Sequence, residues 1–479
     1  QQKREKEISN KNTVPITGHG ETKWTFTKKI FSTTLPPNLS TQRLKYNLRD
    51  VITKSLLFFE AQRSGHLPPS NRIPWRSHSC LRDGEDQEID LSGGYFTDGG
   101  FVKYGFPMAF TTTQLAWSLL EFRNAYLASH QISNVMNALK WATDYFIKCH
   151  VSEFEFYGQV SNSDIDDVYW GRPEDLTGSR PSYKITREKP GSELAAETAA
   201  AMAATAIVFN NTGTNYSSIL LQHARELFNF ARLHNGTYHD GIPQAKKYYK
   251  SWSGYWDELS WAAAWLYKAT NEDQYLTLSK YYIEYNPDES AMTTFSWDDK
   301  RPGATFLLAQ ITEEYVFFYP FVQNIFIWWG LQQNFNTETY KITYTPKGLV
   351  YIQEWGVLRH AAGVAFICMA AADLGIKQNL YRDFAKRQIH YMLGDSGLGS
   401  YVIGYGPNPP TRPHHRCILL CNTGSSFTAL RNPGSNPHIL VGALVGGPDG
   451  NDRFHDDRQN HRSSEVALDY NAAFQSAIA

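Results

Sequence analysis

From Leu44 onward, apolar residues recur three and four positions apart through most of the chain, the spacing that lines one face of an α-helix. Between Tyr46 and Gln62 the stripe is Val51, Ile52, Leu56, Leu57, Phe58 and Phe59. The same pattern predicts helices over about 110–129, 132–149, 192–209, 216–233, 257–270, 272–285, 303–313, 315–332, 355–374, 379–394 and 464–478, twelve in all with the first. Pro190-Gly191 marks the start of the helix over 192–209, whose small residues let neighbouring helices approach closely. Few windows alternate with period two, so the chain is expected to be all-α. No repeat of fixed length emerges, and periodicity alone leaves a ring and a solenoid both open. Residues 1–42 are polar and read as a leader or linker, in keeping with an upstream module, and 43–479 form the main domain.

One stretch interrupts the helical pattern with a different character. Residues 90–108 read Asp-Leu-Ser-Gly-Gly-Tyr-Phe-Thr-Asp-Gly-Gly-Phe-Val-Lys-Tyr-Gly-Phe-Pro-Met. The glycines permit tight turns and the aromatic residues supply flat stacking surface, a combination that suits a loop lining a site. Two further irregular blocks carry candidate chemistry. Residues 400–416 present Arg412, His414, His415 and Arg416 among prolines and glycines, which otherwise reads as a basic surface turn. Residues 441–472 bring Asp449, Asp452, Asp456 and Asp457 ahead of Ser464-Glu465-Val466-Ala467-Leu468-Asp469-Tyr470-Asn471-Ala472, where a lone Glu would read as a helix cap or dipole partner.

Composition narrows the partners. With 46 Lys plus Arg against 47 Asp plus Glu, nothing argues for nucleic acid or an acidic membrane surface. No apolar run approaches the roughly 18 residues of a spanning helix. The 13 Trp and 28 Tyr are more than usual and suit sugar stacking, although core packing uses the same residues. Sequons at Asn38, Asn210, Asn215 and Asn235, and a start at Gln1 that reads as a processed or partial chain, favour a secreted, extracellular protein. Five cysteines cannot all pair within the chain; Cys417 and Cys421 are close enough to close a small loop, and Cys368 falls in an apolar helical run.

The three irregular blocks resemble the site blocks of glycoside hydrolase family 9, the inverting endo-β-1,4-glucanases, in their animal cellulase form, and the likeness runs over about residues 44–479. The resemblance implies an (α/α)6 barrel of twelve helices with loops at one end forming an open cleft for a glucan. It implies Glu465 as general acid, Tyr470 as its neighbour, and His414 and Arg416 as holders of the central sugar. Tyr249, Trp252, Trp297 and Trp355 match sugar-stacking positions and His360 a further contact. Ser253, Gly254, Asp257 and Glu258 match a structural calcium site, though these residues also read as an ordinary capped helix start. No cofactor for chemistry is implied.

The same comparison exposes departures. The family's loop carries Asp-Ala-Gly-Asp where this chain has Thr97, Asp98, Gly99 and Gly100, so both aspartates, the second of them the general base, are lost at Thr97 and Gly100. Asp167 replaces a substrate-touching histidine in 166–174, His78 an aspartate in 75–79, Ser464 an asparagine and His461 a tyrosine. Inverting hydrolysis needs two carboxyl groups, one to donate a proton and one to activate water, and losing a base costs on the order of 10² to 10⁴ in rate. The sequence therefore points to a protein that keeps the cleft and the acid, has lost or strongly reduced hydrolysis, and binds β-glucan or a related polysaccharide or serves an extracellular assembly of protein partners. The alternative is a working endoglucanase with Asp98 or another carboxylate as its base.

Overall fold

A computed structural model describes residues 45–210, 212–287, 292–312, 342–416 and 426–479. Within these, eleven helices of eleven residues or more follow one another: α1 (Leu48–Ala61), α2 (Gly105–Glu121), α3 (Ile132–Cys149), α4 (Ser192–Phe209), α5 (Tyr216–Leu233), α6 (Trp256–Thr270), α7 (Asp273–Glu284), α8 (Arg301–Thr312), α9 (Val357–Asp373), α10 (Gln378–His390) and α11 (Leu468–Ile478). Each falls on one of the predicted windows, and the remaining window, 315–332, lies outside the described residues, as do residues 1–42, Cys417 and Cys421.

The helices take two roles, and burial separates them. α2, α4, α6, α8, α9 and α11 are buried on nearly every side, while α3, α5 and α10 bury one stripe and leave the other face to solvent. α2 packs on α4, α4 on α6, α6 on α8, α9 on α11, and α11 back on α2; α5, α7 and α10 lie outside α4, α6 and α9. This is the (α/α)6 barrel. Trp117 of α2 fills its middle, its ring 5.3 Å from Trp261, 6.0 Å from Trp265, 6.1 Å from Phe306 and 4.9 Å from Phe366. α4 is long and apolar enough to cross a membrane by length and composition, but 89% of it is buried inside the barrel, the ordinary state of a core helix.

Two features depart from the sequence pattern. α2 begins at Gly105 rather than near 110, because Pro107 in a first turn costs no hydrogen bond. A small antiparallel sheet also stands at the mouth: β1 (Lys103–Tyr104), β2 (His150–Ser152) and β4 (Ser182–Ile185) all pair with β3 (Glu155–Val160). These strands are too short, and β3 too interrupted by Gly158, to show a period of two.

Candidate active site

The loop between α1 and α2 is held from both ends of the chain. Gln62, just beyond α1, donates through Nε2 to the carbonyls of Phe96 and Asp98 and accepts at Oε1 from His415 Nε2 at 2.7 Å. Thr97 is fully buried, its Oγ1 accepting from Tyr104 N and its carbonyl from Leu468 N, so it serves the backbone of the loop and the start of α11. Gly99 O accepts from Arg416 N, and a Cβ on Gly99 would lie 2.0 Å from His414 O, so only glycine lets the two loops meet. His414 N in turn donates to Ser464 O beside Glu465. Residues far apart in sequence are thereby locked around one cavity of about 650 Å³, lined among others by Asp98, Gly100, Asp166, Asp167, Tyr249, Trp252, Trp297, Trp355, His360, His414, Arg416, Glu465 and Tyr470.

Glu465 is half-buried at the cavity wall. Trp355 Nε1 donates to its Oε2 at 3.0 Å. Burial and then the charge of Asp98 push its carboxyl up to about 8, the state an acid needs to hold a proton near neutral pH. Asp98 is also half-buried and faces the same cavity, with Oδ1 accepting from Gly100 N at 2.8 Å. Burial and then Asp166 push it up to about 7. The shift of one residue in the loop therefore leaves Asp98 within the cleft.

Gly100 is not an empty place. A Cβ there would come within 2.2 Å of Asp166 Oδ2 and 3.1 Å of Asp98 Oδ1. Asp166 is buried, accepts from Phe101 N at Oδ1 and from Arg416 Nη1 at Oδ2, and Arg416 Nη2 reaches Asp167 Oδ1 at 3.2 Å. Asp167 Oδ2 accepts from Lys247 Nζ at 2.8 Å and Tyr248 OH at 2.9 Å. Burial would raise the Asp167 carboxyl, but these donors together with Arg416 hold it below the usual range. Arg416, expected on a sugar, is thus occupied by two carboxylates.

The other expected sugar contacts divide by exposure. Trp252 is 75% exposed, with Lys250 Nζ 4.1 Å from its ring, and offers an open face. Tyr249, Trp297 and Tyr470 are nearly buried, Trp297 packing edge-on against Phe106 and Tyr249. Trp355 is half-buried and is spoken for by Glu465. His360 is 2% exposed; Nε2 accepts from Arg359 Nε and contacts Gln353, and Nδ1 meets Thr294 Oγ1, so both ring nitrogens are engaged. His414 Nδ1 meets the Arg458 carbonyl at 2.7 Å, which fixes Nδ1 as the protonated nitrogen, and burial holds the ring down to about 4, hence neutral. His78 is exposed and accepts from Leu67 N away from the cavity.

Where the calcium site is expected, Asp257 and Glu258 open α6 side by side within hydrogen-bonding reach of each other. Lys300 N donates to Asp257 Oδ2 and Lys300 Nζ to Glu258 Oε1, which leaves Asp257 Oδ1 and Glu258 Oε2 buried with no donor beyond a proton the two carboxyls share. Burial and then Asp299 raise Asp257 to about 6. Two carboxylate oxygens so placed fit a hard cation. Ser253 Oγ donates to Asp298 O and Gly254 O accepts from Ser251 Oγ, so Gly254 keeps a lone pair for such an ion while the Ser253 hydroxyl is directed elsewhere.

Sequence reasoning passed over Asp166 as a site residue, and over Lys247, Tyr248 and Asp298. Asp166 stood in plain view beside Asp167; Lys247, Tyr248 and Asp298 lie between predicted helices, where no spacing singles them out.

The profile described as "Glycosyl hydrolase family 9" matches residues 49–478. Endoglucanase A of Bacillus pumilus is 46% identical over 440 residues, covering 91% of this chain and 66% of that protein, and Endoglucanase B of Cellulomonas fimi is 41% identical over 91% of this chain and 42% of its own length. This chain thus spans less than two thirds of either relative. Among solved structures, an endoglucanase of the termite Nasutitermes takasagoensis superposes with a TM-score of 0.86 at 48% identity, covering 91% of this chain and 98% of that one. A cellulase of C. cellulolyticum in complex with cellobiose gives 0.82 at 36% identity over 91% and 98%. The matched profile, these identities and the common barrel agree: this chain belongs to glycosyl hydrolase family 9.

Proposed function

We propose that the cleft binds β-1,4-glucan or a related polysaccharide outside the cell, and that hydrolysis is lost or strongly reduced. The observation that carries this reading is the carboxylate of Asp166 seated where a side chain at position 100 would begin, clamped by Arg416. A base at that position has neither a side chain nor room for one. Asp98 stands between the two lost aspartate positions with Oδ1 tied to Gly100 N, and a reacting group misplaced by even about 1 Å can cost on the order of 10²-fold in rate. Glu465, held by Trp355, keeps the form of the acid, and Trp252 offers the stacking face for a pyranose. Calcium would be held by Asp257 and Glu258 and would neutralise the charge beside Asp298, whose Oδ1 accepts from Trp252 N.

A second reading rests on a specific observation. Asp98 lines the same cavity as Glu465 and is the strongest charge acting on it. In that reading Asp98 removes a proton from water as it attacks the anomeric carbon, and Glu465 protonates the departing glycosidic oxygen. The names of the relatives, endoglucanases, speak for it.

The test is reducing-sugar release from carboxymethyl cellulose beside calorimetric titration with cellohexaose. The first reading expects binding with no release above a Glu465→Gln control. Release abolished in Asp98→Ala establishes the second reading; absence of both binding and release refutes both and leaves a scaffolding role.

A further inference from the structure

A group of side chains on the outside of the barrel takes no part in the cleft. His150 is the first residue of β2, directly after α3. His223 and Glu226 lie three apart on α5, hence on one face. His150 Nδ1 is 2.8 Å from His223 Nδ1 and 4.0 Å from Glu226 Oε2, and one ligand atom from each of the three lies within 4.8 Å of the others. Glu226 Oε1 accepts from Gln222 Nε2 at 3.0 Å, which orients the carboxylate. None of the three lines the cavity described above.

The same three ligand atoms that share a His–His hydrogen bond are also close enough together to surround a metal. Tetrahedral zinc binds nitrogen and carboxylate oxygen at about 2.0–2.2 Å, which sets ligand atoms about 3.3–3.5 Å apart; the two measured separations fall on either side of that value. His150 presents Nδ1 to His223 and Glu226, while its Nε2 is buried on the other side of the ring. His223 and Glu226 are half-buried, which leaves an entry path and room for water as a fourth ligand.

We propose that His150, His223 and Glu226 bind one zinc ion, or a divalent transition ion of similar preference, as a structural staple joining the start of β2 to α5. The proposal is independent of what the cleft does.

The experiment uses the full chain, stripped with chelator and then saturated with Ca²⁺ so that oxygen-rich sites are filled. Titration with ZnCl₂ is expected to give one ion per chain and to raise the melting temperature, and Co²⁺ substituted for zinc to give the visible absorption of a tetrahedral site. His223→Ala should abolish the Co²⁺ spectrum and Glu226→Gln should weaken Zn²⁺ binding about tenfold or more, the range typical of disturbed metal shells, while His438→Ala leaves both unchanged. Because Glu226→Gln alters a half-exposed residue, it keeps the test sound if His223→Ala fails to fold. Failure to bind Zn²⁺, or binding that survives in His223→Ala and Glu226→Gln, overturns the proposal; so does binding that leaves the melting temperature where it was.

Discussion

Replacing Gly100 with alanine is the smallest change that tests how the cleft is built. The new Cβ would lie 2.2 Å from Asp166 Oδ2 and 3.2 Å from its Cγ, so the carboxylate must retreat by roughly 1 Å to reach ordinary van der Waals contact. Asp166 is 7% exposed and held by Phe101 N and Arg416, which means it retreats only by giving up that buried pair. Breaking a buried ion pair costs about 3–5 kcal/mol, and alanine returns about 0.4–1 kcal/mol by restricting the unfolded chain, for a net loss of about 2–4 kcal/mol. At about 2.1 cal/mol/K of unfolding entropy per residue, a chain of 479 residues shifts by about 1 °C per kcal/mol, so the expected fall in melting temperature is about 2–4 °C. The decisive assay is a double-mutant cycle with Asp166→Ala. In that background the Cβ has room, and adding Gly100→Ala should cost nothing, giving a coupling of about 2 kcal/mol or more. Additive effects, or a single variant within about 0.5 kcal/mol of the parent, refute the reasoning. If it holds, a Thr97→Asp/Gly100→Asp variant meets the same obstruction and does not regain hydrolysis while Asp166 keeps its place.

Three other outcomes follow from the site. Glu465 is raised to about 8 from an ordinary value near 4.5, so the folded state holds that proton more tightly than the unfolded one, and its contribution is full below about pH 4.5 and lost as pH rises toward 8. Glu465→Gln should therefore stabilise the protein most at pH 8 and progressively less toward pH 5 in urea titrations; a difference constant with pH would contradict this. Trp252→Ala, at a site 75% exposed, should weaken cellohexaose binding about tenfold with an unchanged melting temperature; an unchanged affinity removes the stacking role. Chelation of calcium should lower the melting temperature and weaken cellohexaose binding, because Asp257 influences Asp298, which carries Trp252; Asp257→Asn should make the protein indifferent to chelator, and a chelator effect that persists in it disproves this assignment.

The barrel was legible because its helices are long and their stripes regular: the spacing of Val51, Ile52, Leu56 and Phe59 is enough to declare α1. β3 was not, since six residues broken by Gly158 carry no period. In the cleft, Glu465 and His414 stand in motifs a few residues long, and reading them needed no folding. The clamp of Arg416 on Asp166 and Asp167 joins residues 250 and 249 apart, and Lys247 reaches Asp167 across 80; such pairs exist only in three dimensions. His360, placed by motif, does line the cavity, but the engagement of its ring nitrogens by Thr294, Gln353 and Arg359 is visible only in the fold.

The closure of α11 onto α2 has a consequence for how the molecule comes into being. Leu468 N bonds Thr97 O, and Ser476 Oγ bonds Gln114 O across 362 residues. During synthesis the loop of residues 90–104 therefore emerges early and can rest on Gln62, but its bond to Leu468 waits until α11 has been made. Contacts so distant are slow to form, because a long loop must close before they reward it. The inner helices wait with apolar faces exposed, and the cleft is the last part to take shape. Truncation ahead of Leu468 would thus remove more than one helix: it would leave the loop that carries Asp98 without its partner across the barrel.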